Sequence, residues 1–135
     1  MNCKSRAKLK WPLSCSVGGM SIHLQQAFPE TVAQLRRELI REGLETAMEW
    51  NSALDLRDAT GAQVAETRCF FVFDPISLLH HAQHASPTAA LATITLCEAG
   101  THTIVRIEGR GLSYRHACRA LARLRRQLPE IRHAA

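Results

Sequence analysis

The stretch PETVAQLRRELIREGLETAMEW, residues 29–50, changes its apolar period at Gly43. Before the glycine, Val32, Leu35, Leu39 and Ile40 recur at the spacing of one helical face. Glu30 stands near the start, Thr31 and Gln34 occupy T-x-x-Q capping-box positions, and Gly43 supplies a stop. From Leu44 onward alternation predicts a strand with Leu44, Met48 and Trp50 on one side. Upstream, SIHLQQAF (21–28) alternates as well, Ile22, Leu24 and Phe28 against His23 and Gln25, so the region reads β-α-β.

Working outward, Ser52 begins a short helix that ends by Gly61. ETRCFFVF (66–73) sends Cys69, Phe71 and Phe73 one way and Phe70 and Val72 the other, so both sides of this strand are apolar and both need cover. Asp74 and Pro75 close it, and ISLLHHAQHA predicts a helix ended by Ser86 and Pro87. LATITLCE and THTIVRIE, separated by Ala99-Gly100, predict a hairpin. A last helix over 113–128, capped by Ser113, carries the stripe Ala117, Leu121, Leu124 and Leu128. The pattern is α+β: a two-layer sandwich, mainly antiparallel sheet with helices packed on one face, plus a C-terminal basic amphipathic helix. Which sheet face that helix covers is left open by the pattern.

At 135 residues one domain with one core is expected. No apolar run approaches the roughly 20 residues of a membrane span, so a soluble protein is expected. Seventeen Lys and Arg against twelve Asp and Glu give +5, a sign that matters only where it clusters. Cys3, Cys15, Cys69, Cys97 and Cys118 are odd in number and form no CxxC pair, which suits a reducing cytoplasm. Residues 1–19, MNCKSRAKLKWPLSCSVGG, are basic, and WPLSCSV is too short and polar for the apolar region of a secretory signal. They are expected to form a disordered basic extension ahead of a single domain over 20–135.

TVAQLRRELIREGLETAMEW from Thr31, a short polar helix to Gly61, and RCFFVFDP to Pro75 together resemble the bacterial family called domain of unknown function 302. HASPTAALATITL is similar to that family's next segment, and the likeness spans roughly residues 22–108. The resemblance implies a two-layer α+β domain that forms homodimers, and no established activity. This chain departs from it at Phe73-Asp74-Pro75, where relatives carry a Cys before Asn-Pro, and at Ile94-Thr95, where they carry Pro-Cys. Chemistry resting on those cysteines is therefore not carried over.

Three candidate sites follow from the residues. In LLHHAQHASP (78–87), His80 and His84 share a helical face at the spacing by which two imidazoles chelate zinc, copper or nickel, while His81 points about 100° away. A third ligand would have to come from Cys69, Cys97 or His102, and there is no H-E-x-x-H glutamate to act as a base. The competing reading packs Leu78, Leu79 and Ala82 inward and leaves the histidines on an exposed face. Arg115, Arg119, Arg123 and Arg126 form a stripe suited to nucleic-acid phosphates or an anionic membrane surface, although Tyr114 is the tail's one aromatic and a solvated helix face explains the stripe equally well. Cys69, Phe71 and Phe73 are the candidate homodimer interface, unless the last helix lies over them.

Catalysis finds little support, since EGRG (108–111) lacks the other positions of a phosphate loop. Glu45 and Glu49, expected on one strand face, are ordinary for a solvated surface. The reading is a non-catalytic binding or assembly module with room for a small ligand. Transition-metal binding and anionic-polymer binding are the alternatives.

Overall fold

The computed structural model describes residues 18–84 and 86–128. In chain order these form β1 (Gly18–Leu24), α1 (Phe28–Arg41), β2 (Glu45–Trp50), α2 (Ser52–Thr60), β3 (Thr67–Phe73), α3 (Pro75–His84), a 3-10 turn (Pro87–Ala90), β4 (Leu91–Ala99), β5 (His102–Gly109) and α4 (Gly111–Gln127). The five strands make one antiparallel sheet in the order β1-β5-β4-β3-β2. The first strand begins at Gly18, two residues inside the expected 1–19 extension, the rest of which lies outside the described residues.

β1 and β2 occupy opposite edges, so α1 crosses the sheet between them, and α4 packs beside α1. Both helices cover the same face. Val32, Leu35 and Leu39 of α1 and Ala117, Leu121 and Leu124 of α4 are buried against Phe70, Val72, Ile94, Leu96, Val105 and Ile107. This answers the question the pattern left open: the C-terminal helix is part of the same layer as α1, and the architecture is the expected two-layer α+β sandwich. Burying side chains of this size stabilises by about 1.5–3 kcal/mol each, so both helices are integral to the core.

Local signals were used differently from expectation in several places. α1 starts at Phe28 with Ala27 as its cap residue and no side-chain cap, so the T-x-x-Q box does not form. Thr31 instead lies fully buried, its hydroxyl 2.9 Å from the Ala27 carbonyl and 3.3 Å from the Thr103 hydroxyl, which donates to the Gln26 carbonyl. A dry polar pair joining α1 to β5 claimed the residue that sequence assigned to capping. Ile40 is 74% exposed and Phe28 belongs to the helix, so neither completes the stripe first drawn for it.

In β2 the register slips between Thr46 and Met48. That bulge puts Leu44 in the core while Met48 and Trp50 turn to the other side, and it parts Glu45, opposite Phe73, from Glu49, opposite Phe70. The expected same-face carboxylate pair therefore does not exist. α4 begins at Gly111 and not at Ser113; the Ser113 hydroxyl is buried in the first turn and accepts from the Asp74 backbone N–H at 2.9 Å. The Asp74 carboxylate accepts in turn from the Ser77 N–H, capping α3.

Candidate functional site

Pleating makes the two faces of the sheet unlike. On the inner face Phe70 and Val72 of β3 are fully buried. On the outer face the pairing aligns Gly19, Glu108, Thr93, Phe71 and Met48 in one row across all five strands. The adjacent row runs Ser21, Arg106, Thr95, Cys69 and Trp50, and Phe73 stands beside Leu91. Cys69, Phe71 and Phe73 are half-buried, whereas Met48 is 50% and Trp50 42% exposed. The three residues expected at an interface do share a face. Met48 and Trp50, which sequence reasoning placed with Leu44, join them because of the bulge.

Among the described elements, α2 reaches the outer side at one corner. Trp50 Nε1 donates to Asp55 there at 2.6 Å, and Trp50, Ala53, Leu56, Val64 and Thr67 line an open, mainly apolar depression of about 410 Å³. α3 packs on the 3-10 turn and buries none of its residues; Leu79 is 58% exposed and Ala82 is exposed, so neither packs inward as one reading required.

The arginine stripe is split by the fold. Arg123 reaches across to α1, donating to Glu38 through Nε at 2.8 Å and to Glu42 through Nη1. Arg119 faces Glu42 at 3.8 Å, and Arg115 and Arg126 are exposed. Hydrogen bonding from Arg123 holds the buried Glu38 carboxyl below the usual carboxylate range. Burial pushes Glu42 up, but its bonds from Arg123 and His116 outweigh this and leave it low, and both carboxylates raise Arg123. His116 Nδ1 lies 2.9 Å from Glu42, with Nε2 3.8 Å from Asp74. A carboxylate only accepts, so Nδ1 is the donor, and Arg119 at 3.2 Å from that nitrogen is a neighbour and not its hydrogen-bond partner. This network joins α1, α3 and α4, and sequence reasoning missed it. The available signal was two matched i,i+4 pairs of opposite charge, Glu38/Glu42 and Arg119/Arg123, which becomes legible only once the helices are known to be neighbours.

In a second charged cluster beside α1, Arg36 and Arg68 both bind Glu49, and Arg68 lies over the Phe28 ring at 5.9 Å. The Arg36 bond keeps the Glu49 carboxyl low.

His80 and His84 do come together, their rings stacked at 4.6 Å between centroids on an exposed face. The third ligand does not: no group of three or more His, Cys, Asp or Glu able to hold a metal occurs among the described residues. Cys69 and Cys97 lie on the outer sheet face beside Thr95 and Thr67, and His102 stacks on His23 at 5.7 Å. Cys118, packed against the core, has its thiol pushed up by burial and is a poor nucleophile. No described helix is long and apolar enough to cross a membrane.

The sheet order, the two helices on one face and the closing hairpin define a two-layer α+β sandwich. No protein-family model matches the chain, and no curated protein is similar to it at a significant level. Among solved structures, the crystal structure of the uncharacterized conserved protein DUF302 from Bacillus stearothermophilus is similar over 82% of this chain and 98% of its own, with a TM-score of 0.58 and 11% identity. The chain thus has a DUF302-like fold, which upholds at the level of fold the resemblance carried by Thr31–Pro75.

Proposed function

We propose that the chain is a non-catalytic assembly module that closes its outer sheet face against a second copy of itself. The observation that supports this is β3: with Phe70 and Val72 fully buried under α1 and α4, Cys69, Phe71 and Phe73 remain on a face that no described helix crosses. Met48, Trp50 and the apolar depression beside α2 extend that face toward the β2 edge. Contiguous apolar surface of this kind is characteristic of interaction sites, and an isologous pairing removes it from water on both chains at once. Each phenylalanine so buried contributes on the order of 2 kcal/mol.

Light scattering at tens of micromolar tests the reading. The wild-type chain is expected to show the mass of a dimer, and Phe71→Asp or Phe73→Asp to shift it to monomer with an unchanged far-ultraviolet circular dichroism spectrum. A monomeric wild-type protein at that concentration refutes it. Truncation before α4 is no test, because that helix carries Ala117, Leu121 and Leu124 of the core and its loss would unfold monomer and dimer alike.

A further inference from the structure

We infer that a cavity on the flank of α1 turned away from α4 binds a small zwitterion of dipeptide length, its ammonium between Glu66 and Glu98 and its carboxylate on Arg68. The site lies on the helix-covered side of the sheet, so it is independent of assembly through the outer face.

Phe28, Val32 and Arg36 follow one another at intervals of four along α1 and form a single ridge. Glu38, which binds Arg123 of α4, is two positions past Arg36 and so about 200° around the helix from it. α4 therefore closes one flank of α1, and the ridge looks out over the other. Between that ridge and the ends of β3 and β4 is a cavity of about 340 Å³, lined also by Glu66, Arg68 and Glu98. Small-molecule sites occupy roughly 300–1,000 Å³, and this one has the size of a small ligand.

One end of the cavity is negative. Glu98 follows Leu96 by two residues on the inner face, and its N–H donates to the Glu66 carbonyl at 2.9 Å, so the two glutamates extend the ladder one pair beyond Thr67 and Cys97. Like charges opposite one another on neighbouring strands, with Cβ atoms about 5 Å apart, repel. Among the described residues neither carboxylate has a hydrogen bond or ion pair. An ammonium seated between them removes the repulsion and gives each a charge-assisted hydrogen bond.

The other end is positive. Arg36 and Arg68 share one carboxylate, Glu49, which leaves one positive charge over. Arg36 gives both Nε and Nη2 to Glu49. Arg68 gives only Nη1, at 2.8 Å, and its Nε is buried with no hydrogen-bond partner among the described residues. A buried donor left unpaired is unfavourable, and the Nε–Nη2 edge of a guanidinium is the fork that takes a carboxylate through two parallel bonds. A small turn of the Arg68 guanidinium presents that edge to a ligand in the cavity it lines. Length agrees as well: Arg68 stands one two-residue step along the chain from Glu66, about 6.7 Å, and an extended dipeptide spans about 7 Å. Phe28 and Val32 supply an apolar wall for a ligand side chain.

Calorimetry on the full-length chain with four probes tests the inference. Alanylvaline and δ-aminovalerate carry both charges at this separation, N-acetyl-alanylvaline lacks the ammonium, and alanine holds its charges too close together. Saturable one-to-one binding of at least one of the first two, with a dissociation constant of about 1 mM or less, is expected, and binding at least about 10-fold weaker for the other two. The better ligand of the first two shows whether a peptide or an ω-amino acid is the source of the shared chemistry. Glu98→Gln and Glu66→Gln are each expected to weaken binding about 10-fold. Arg68→Lys, which keeps the charge and loses the fork, should do the same; should that variant not fold, the two glutamate variants and amide chemical shifts of the wild type decide, since titration must move Val32, Glu66, Arg68 and Glu98. No saturable binding of either zwitterion up to about 10 mM, equal binding of the acetylated peptide or of alanine, undiminished binding in both glutamate variants, or shifts confined to other parts of the chain would each overturn the inference.

Discussion

Phe70 and Phe71 are adjacent in the chain, alike in chemistry and paired to the same two neighbouring strands, yet one is fully buried and the other half-exposed. Their difference is that of the two faces of the sheet. The inner face is closed by α1 and α4 through interdigitated aliphatic side chains and, at its margins, through paired charges. The outer face is apolar around β2 and β3 and mixed around β1 and β5, where His23, Glu108 and Arg106 stand. A strand with two apolar sides can thus have one side serving folding and the other left for something beyond the folded chain.

The largest expected effect tests that division directly. Phe70→Ala should lower unfolding free energy by about 3–5 kcal/mol, because it opens a cavity in a core with little room to collapse. Phe71→Ala, compared under dilution that keeps the chain monomeric, should cost about 1 kcal/mol or less. Urea titration of both variants measures the gap. Equal losses would mean that the outer face is as firmly packed as the inner one, and the comparison would fail.

Next in size is Arg123→Met. It keeps the aliphatic stem on the α1–α4 contact but leaves Glu38 and Glu42, both buried or nearly so, without their main cation, at an expected cost of about 2–3 kcal/mol. Arg126→Met, on the exposed side of the same helix, should change stability by no more than about 0.5 kcal/mol. The contrast separates the arginine that closes the inner layer from one that stays on the surface. Retained duplex-DNA binding at low salt in Arg123→Met, lost when Arg115 and Arg126 are also neutralised, would revive the phosphate-stripe reading for the exposed positions alone.

Acid should act on the same network. Glu38 and Glu42 are held below their unfolded values, so their ion pairs contribute stability that is complete above the ordinary carboxylate pKa of about 4.3 and is lost as pH falls through the lower folded values. Unfolding free energy is expected to be flat from pH 7 to about 5 and to decline below that. In Arg123→Met the decline should be shallower, because the principal cause of the lowered Glu38 value is gone. A wild-type profile that rises on acidification would show that burial, which opposes the shift in both glutamates, is the stronger influence.

Much of the fold was legible because the inner face is written as uninterrupted periodicity: the helical spacing of Val32, Leu35 and Leu39, the two-sided alternation around Phe70, and the stripe Ala117, Leu121, Leu124. What was not legible depended on partners distant in sequence. Thr31 looked like a capping residue because nothing local reveals Thr103 seventy-two positions away. A single bulged residue at Ala47 inverted Met48, Trp50 and Glu49 relative to Leu44, and period-2 reasoning has no means of seeing one inserted residue. Cys69, Phe71 and Phe73, the candidate interface residues, share one face as expected because that follows from alternation within one strand, whereas a third metal ligand required a second element to converge on α3, and among the described residues none does.

The smallest expected effect belongs to α3, which packs on the 3-10 turn and buries none of its residues. His84 is exposed and stacks on His80, so His84→Ala in chelator-treated protein should leave the unfolding free energy unchanged to within about 0.5 kcal/mol. Two imidazoles at i,i+4 spacing still chelate weakly, and a ligand that binds the folded chain alone raises stability by RT ln(1 + [L]/Kd), about 2.7 kcal/mol at a hundredfold excess over Kd. Millimolar zinc or nickel is therefore expected to raise the melting temperature of the wild type slightly and that of His84→Ala less. Calorimetry on tag-free protein distinguishes this from a true metal centre. Micromolar affinity would demand a third donor, and since none stands with the pair among the described residues, that donor would have to come from a second copy or from residues outside those described. A donor from a second copy would tie α3 to assembly and make it, and not the sheet face alone, part of what the chain presents to that copy.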